Sequence, residues 1–302
     1  MVVAVEVQDI SQARVSVLTG TESFESKMGR FLTFKLTGIF TAAACLALFA
    51  GQSVQSQSNQ GGLPTFSAAP AAQILPPPPN YHFPDGQTYV YAVEWHMFTA
   101  GTAKVMLQAQ GAEQHVTATA VSSGFVNALY KVNDHFEASF DPHKFCSLRV
   151  SKHSEEGARA RQVELRFDYS RGKSVEDEKN LKTGETKHVE NDVPGCVTDV
   201  VSGFYYLSSL PLQQGSSYVF PINDGGKTTE VSVRVEGHEQ VRVPAGTFQT
   251  LRVRAEPTSG ALKGKGTVWT WYTSDGNHMT VQMRSKLGWG TLLFRLLRVE
   301  KP

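Results

Sequence analysis

From Tyr81 to the C-terminus, apolar side chains recur at every second position, and a period of two is the mark of a half-buried strand. In TYVYAVEWHM, Tyr89, Tyr91, Val93 and Trp95 share a face. In GTAKVMLQAQ, Ala103, Val105 and Leu107 do the same, and Gly101 reads as the bend between these two strands. RQVELRFDYS sets Val163, Leu165, Phe167 and Tyr169 against Glu164, Arg166 and Asp168. TTEVSVRVEG turns Val231, Val233 and Val235 inward, and TLRVRAE does so with Leu251, Val253 and Ala255. Asp275-Gly276 reads as a tight hairpin turn, and GTLLFRLLRVE as a last strand, partly apolar on both faces. Roughly 12 to 14 strands are more than a small closed barrel needs. The expected fold is therefore all-β: a single large curved antiparallel sheet, either a partly open barrel or a β-spiral, whose concave face must be filled.

One segment breaks the period. In PGCVTDVVSGFYYLSSLPLQQG, Val197, Val200, Val201, Phe204 and Leu207 recur at helical spacing. Thr198 can cap a helix start, and Asp199 would place its carboxylate in the first turn, where the helix dipole favours it. Gly203 would allow close approach to other backbone, and Pro211 stops the helix. The spacing predicts a short helix of about three turns, apolar on one side and packed on the concave face of the sheet as a plug. It is either a gate over a ligand cavity or a permanent part of the core.

The N-terminal third has a different character. From Met28 a basic opening (Arg30, Lys35) leads into an apolar run from Leu36 to Ala50, then small and polar residues. That is the order of a secretory signal peptide. The run is shorter than the ~20 residues a membrane span needs. Residues 28–56 are thus expected to be the signal, with 1–27 a non-native upstream extension and no span in the mature protein. An uncleaved anchor is the rival reading. Residues 57–80, rich in Gln, Ser, Ala and Pro and ending near Pro76–Pro79, form an expected disordered linker to a β domain at 81–302. Export implies a periplasmic or secreted protein. In that oxidising setting Cys146 and Cys196 are expected to form a disulfide, with two separate buried thiols as the alternative.

The sequence carries no strong catalytic signature: no GxSxG, HExxH, GxGxxG or P-loop. A formal net charge of +1, with scattered Lys and Arg, argues against nucleic acid as a partner. His135 and Glu137 in VNDHFEASFDPH share a strand face and could act as an acid–base pair or metal ligands. Alternation puts them opposite Phe136 and Phe140, on the solvent side. No catalytic residue, metal site or cofactor is expected, and the protein is read as not an enzyme. Aromatic residues instead suggest a lined apolar pocket. Tyr91, Trp95, Phe136, Phe204 and Leu207 are its candidate lining.

The phrases YAVEWHMFTAGTAKV, ALYKVNDHFEASFDP, CVTDVVSGFYYLSSLPLQQG, VRVPAGTFQTLRV and VWTWYTSDGNHMTVQMRSKLGWGTLLFRL occur in this order. Together they resemble the bacterial domain-of-unknown-function 3108 family of exported proteins. The resemblance spans about Tyr81 to Val299. It implies a secreted or periplasmic, largely β domain, with a curved sheet similar to those of envelope lipoprotein carriers. It brings no established reaction and no site residues. The first expectation is a cell-envelope protein binding a hydrophobic ligand: a lipid, an acyl chain or an apolar peptide. The alternative is a non-enzymatic structural or interaction protein of the envelope with a filled core and a protein partner.

Overall fold

Alternation is borne out along almost the whole of the computed structural model, which describes residues 72–95, 98–260, 263–264, 266–287 and 290–302. The expected extension, signal and most of the linker lie outside the described residues.

The first half of the domain is a run of antiparallel strands: β1 (Thr88–Trp95), β2 (Phe98–Gln110), β3 (Glu113–Ser122), β4 (Val132–Phe140), β5 (Ser147–Glu156), β6 (Arg159–Asp168), β7 (Lys173–Asn180) and β8 (Thr186–Asp192). The second half is β9 (Thr198–Asp199), β10 (Ser217–Asp224), β11 (Lys227–Val243), β12 (Gly246–Pro257), β13 (Gly266–Thr273), β14 (Thr280–Leu287) and β15 (Gly290–Glu300). The last strand returns to pair with the first, so one sheet runs β8 to β1, then β15 back to β9. β15 therefore lies in mid-sheet, with Phe294 and Leu296 buried. All neighbours are antiparallel except β9, which pairs parallel with β10.

The sheet is open but strongly curved, and its two ends approach each other. Ser174 on β7 donates a hydrogen bond to the Gly226 carbonyl in the β10–β11 turn. Both turn glycines have positive φ, 55° at Gly225 and 71° at Gly226, the geometry of a tight primed hairpin. A Cβ on Gly226 would stand 2.8 Å from Asn191 Nδ2, so this turn is also where the two ends abut. Gly101 is not at a bend. It sits inside β2 beside a bulge, where a Cβ would be 2.1 Å from the Val121 carbonyl oxygen.

Inward residues of both halves form one apolar cluster. At its centre, Phe140 stacks on Phe145, Phe145 meets Tyr206 edge-on, and Tyr206 meets Phe220 in the same way at 4.8 Å between centroids. The tether joins the domain earlier than its composition implies. Gln73 donates to the Val219 carbonyl and Leu75 to the Tyr206 hydroxyl. The outermost strand, β8, is polar and largely exposed, which discourages pairing with another chain.

The expected helix starts later and is shorter than its sequence suggests. It is α2 (Ser202–Ser209), two turns long, and the shorter α1 (Gly124–Leu129) joins β3 to β4. Thr198 and Asp199 are extended, because their backbone pairs with Ile222 and Asn223 of β10. Tertiary pairing has overridden local capping. Asp199 still serves the helix from outside it: its Oδ1 accepts the N–H groups of Val201 and Ser202 at 3.0 and 2.9 Å. Nor is α2 one-sided. Seven of its eight residues are buried, Tyr205 and Tyr206 among them, as in a permanent core helix. Gly203 meets only side chains, Thr198 and Ile222, at ordinary contact distance.

Candidate functional site

α2 lies in the hollow of the sheet, pinned at both ends. At its start, Asp199 Oδ2 accepts a 2.7 Å hydrogen bond from Ser147 Oγ, and that oxygen accepts the Asp199 N–H in turn. Cys146 and Cys196 are disulfide-bonded, with Cα atoms 5.1 Å apart, just before Ser147 and Val197. Ser147 N–H then donates to the Val197 carbonyl. At its end, Ser208 and Ser209 turn their hydroxyls back to the carbonyls of Tyr205 and Tyr206. Since Ser208 Oγ gives its proton to the Tyr205 carbonyl, Tyr81, 2.8 Å away, is the donor to Ser208.

The turn after β13 also closes on the helix. It is longer than a two-residue hairpin, because Asp275 accepts hydrogen bonds from Thr273 Oγ1 and the Asn277 N–H. The positive φ falls on His278, at 44°, rather than on Gly276. That conformation brings His278 Nδ1 within 2.8 Å of the Ser208 carbonyl. A carbonyl only accepts, so Nδ1 carries the proton and, in the neutral ring, Nε2 is left as an acceptor.

Between α2, this turn, β1, β14 and β15 lies a slot of about 60 Å³. Tyr89, Tyr91, Phe204, Tyr205, Met283 and Phe294 supply most of its apolar wall, and Ser208, Asn277 and His278 its polar edge. Among the described residues no Asp, Glu, Lys or Arg lines it. Of the five expected lining residues, Tyr91 and Phe204 border the slot. Trp95, at the end of β1, packs against the core. Phe136 and Leu207 are buried in the core elsewhere. The volume is far below the ~300 Å³ at which ordinary ligand pockets begin.

Tyrosine dominates this region. Tyr91 donates to the Thr280 carbonyl and Tyr272 to the Phe204 carbonyl. Burial pushes the phenols of Tyr81 and Tyr89 up to about 12, and raises those of Tyr91, Tyr205 and Tyr272 well above the usual phenol range, so all five stay protonated. The Tyr205 hydroxyl is buried and has no hydrogen-bond partner among the described residues.

A second cluster lies on the concave side of β4 and β5. Asp134 is in phase with Phe136, Ala138 and Phe140. Burial, then the charge of and a hydrogen bond with Glu156, push its carboxyl up to about 7, against the opposing pull of Lys152 and Ser154. The Tyr130 phenol is raised by burial and by the charges of Glu156 and Asp134, with Arg159 and Arg161 pulling the other way. A carboxyl with a raised folded-state pKa favours folding when protonated. Its contribution is full below the unfolded value of about 4 and is lost as pH rises to about 7. Urea melts between pH 4 and 8 are therefore expected to show a falling component that Asp134→Asn removes. An unchanged slope in the variant would refute the assignment.

His135 and Glu137 lie 2.8 Å apart on the outer face, with side chains about half exposed. Among the described residues no group of three or more His, Cys, Asp or Glu is arranged to hold a metal ion. None of the described helices is long and apolar enough to cross a membrane.

Residues 90–297 match the family described as "Protein of unknown function (DUF3108)". Among solved structures, the chain is similar to the β-barrel-like protein of the domain of unknown function DUF1849 from Brucella abortus. The TM-score is 0.53 at 10% identity, over 76% of this chain and 100% of that one. Such a likeness speaks to the fold alone. An exported protein with a YmcC-like fold from Bacteroides fragilis aligns at 10% identity over 76% and 100% of the two chains, but with a TM-score of only 0.28. A lipoprotein from Parabacteroides distasonis gives the same score, at 9% identity over 76% and 99%. No curated protein matches the chain.

Proposed function

The chain belongs to the DUF3108 family of proteins of unknown function, and from that premise we propose that it is an exported, non-enzymatic binding protein of the cell envelope whose slot beside α2 holds one small apolar group of a larger guest. The observation that carries this reading is the slot's lining: aromatic rings, methionines and valines, with no formally charged side chain. Apolar walls with a few convergent polar groups are the usual make-up of a ligand site. The small volume sets the scale of what enters. A whole acyl chain does not fit, but a chain end or a single apolar side chain of a peptide does. Export rests on the signal-like segment from Met28, and the disulfide suits an oxidising compartment.

The test is native mass spectrometry of the full chain, recovered gently after export in a bacterial host. A co-purifying lipid or peptide mass, lost when Phe204→Ala alters the slot wall, is the expected result. No added mass, together with no thermal shift on adding medium-chain fatty acids or their methyl esters, would refute it.

The specific observation behind the second reading, an interaction protein with a filled core, is a run of exposed apolar side chains around α1. Phe98, Phe125 and Leu129 are each more than 60% exposed, with Val121 and Tyr130 beside them. An envelope protein is the partner on this reading. Phe125→Ser with Leu129→Ser is expected to leave stability within ~0.5 kcal/mol, since both side chains face water. The same pair would abolish in-cell crosslinks to that partner. Unchanged crosslinks would end the second reading.

A further inference from the structure

Resting on the slot reading, we infer that the guest's buried end carries a neutral oxygen acceptor, an ester, ketone or ether, which receives a hydrogen bond from the hydroxyl of Tyr205. Tyr205 is 7% exposed and borders the slot. Its neighbours have partners: Tyr81 bonds Ser208, Tyr89 bonds Gln87, Tyr91 bonds Thr280 and Tyr272 bonds Phe204. The Tyr205 hydroxyl alone of these five phenols is left without one. A buried polar group is ordinarily satisfied, and an unsatisfied one marks the place of a missing partner. Burial first, and then the neighbouring phenols of Tyr91, Tyr89 and Tyr81, favour the neutral, donating form of this hydroxyl.

The surroundings decide the charge of the guest. Among the described residues the slot's lining offers no Lys or Arg to balance a carboxylate or phosphate. In the neutral ring His278 keeps its one proton on Nδ1 for the Ser208 carbonyl and leaves Nε2 as a lone-pair acceptor, which disfavours an anion beside it. A buried anion without a counter-charge is strongly disfavoured. A pure hydrocarbon would fit the walls but leave the hydroxyl unpaired. A neutral, oxygen-bearing group satisfies both conditions.

The experiment uses the full chain and its Tyr205→Phe variant, with 2-pentanone, n-pentane and pentanoate as probes. Binding is followed through the methyl resonances of Met279 and Met283, which both line the slot. Comparing each probe across the two proteins cancels its own hydrophobicity. Tyr205→Phe is expected to weaken 2-pentanone about 5–10-fold, the worth of one neutral hydrogen bond, and to leave pentane unchanged or tighter. Pentanoate at pH 8 is expected to produce no shift. Equal effects of the substitution on ketone and hydrocarbon would overturn the acceptor inference while leaving the slot reading standing. Pentanoate binding at pH 8 as tight as the ketone's would overturn neutrality. No shift with any probe would overturn the slot itself. Without ligand, the variant should melt no lower than the parent. A fall beyond ~2 °C, the scale of ~0.5–1 kcal/mol in a domain of this size, would mean that the hydroxyl has an internal partner, and the inference fails.

Discussion

Asp199→Ala is expected to lower unfolding stability by about 3–5 kcal/mol, read as a fall in the urea midpoint at unchanged slope. The carboxylate is 2% exposed and takes three hydrogen bonds: the N–H groups of Val201 and Ser202, and the hydroxyl of Ser147. Alanine leaves all three donors buried and without that acceptor, and each orphan costs about 1–3 kcal/mol. Asp199→Asn keeps one acceptor oxygen and should cost less, about 1–3 kcal/mol on the same scale. An alanine variant as stable as the asparagine variant would show that the helix start is held by the β9 pairing alone. The slot shares this fate, since Val201, Phe204, Tyr205 and Ser208 are one of its walls. Loss of the carboxylate is therefore also expected to broaden the Met279 and Met283 methyl resonances.

Residues whose surroundings are set by their own strand could be read from the sequence. Val231, Val233 and Val235 point inward because alternation leaves no other face to bury. The same rule placed His135 and Glu137 in solvent. It also carried an overlooked signal: Asp134 is in phase with Phe136 and Phe140, and a carboxylate on an apolar face announces a perturbed group. The start of α2 was not legible, because the partners that hold Thr198 and Asp199 extended are Ile222, Asn223 and Ser147, all distant in sequence. The depth of burial of α2 was masked by its serines. Ser208 and Ser209 look like surface residues, but they satisfy their hydroxyls on the preceding turn and so can be buried. Tyr205 and Tyr206 likewise reach the core from a helix that curved sheet surrounds on several sides. The slot emerges only when α2, the His278 turn and β1 are brought together, and no local pattern encodes that meeting.

Removing the disulfide is expected to cost about 4 kcal/mol. The bond closes a loop between residues 50 apart, and chain entropy alone gives that figure for the unfolded state. In a domain of this size the melting temperature should fall by roughly 8–16 °C. The bond's position suggests why the loss would be felt at the slot. Cys146 stands between Phe145, which takes a positive φ of 56° to bury its ring against Tyr206, and Ser147, which holds Asp199. Cys196 precedes Val197, whose carbonyl accepts the Ser147 N–H. One seam thus carries the disulfide, the strained aromatic and the helix anchor. Residues sharing a seam do not contribute independently. The Cys146→Ser, Cys196→Ser double variant combined with Asp199→Ala should lose less than the sum of the separate losses, by 0.5 kcal/mol or more in a double-mutant cycle. Strict additivity would show that the bond acts only on the unfolded chain. In that case the β9 pairing and the Asp199–Ser147 contact would hold α2 in place whether the cysteines are oxidised or reduced.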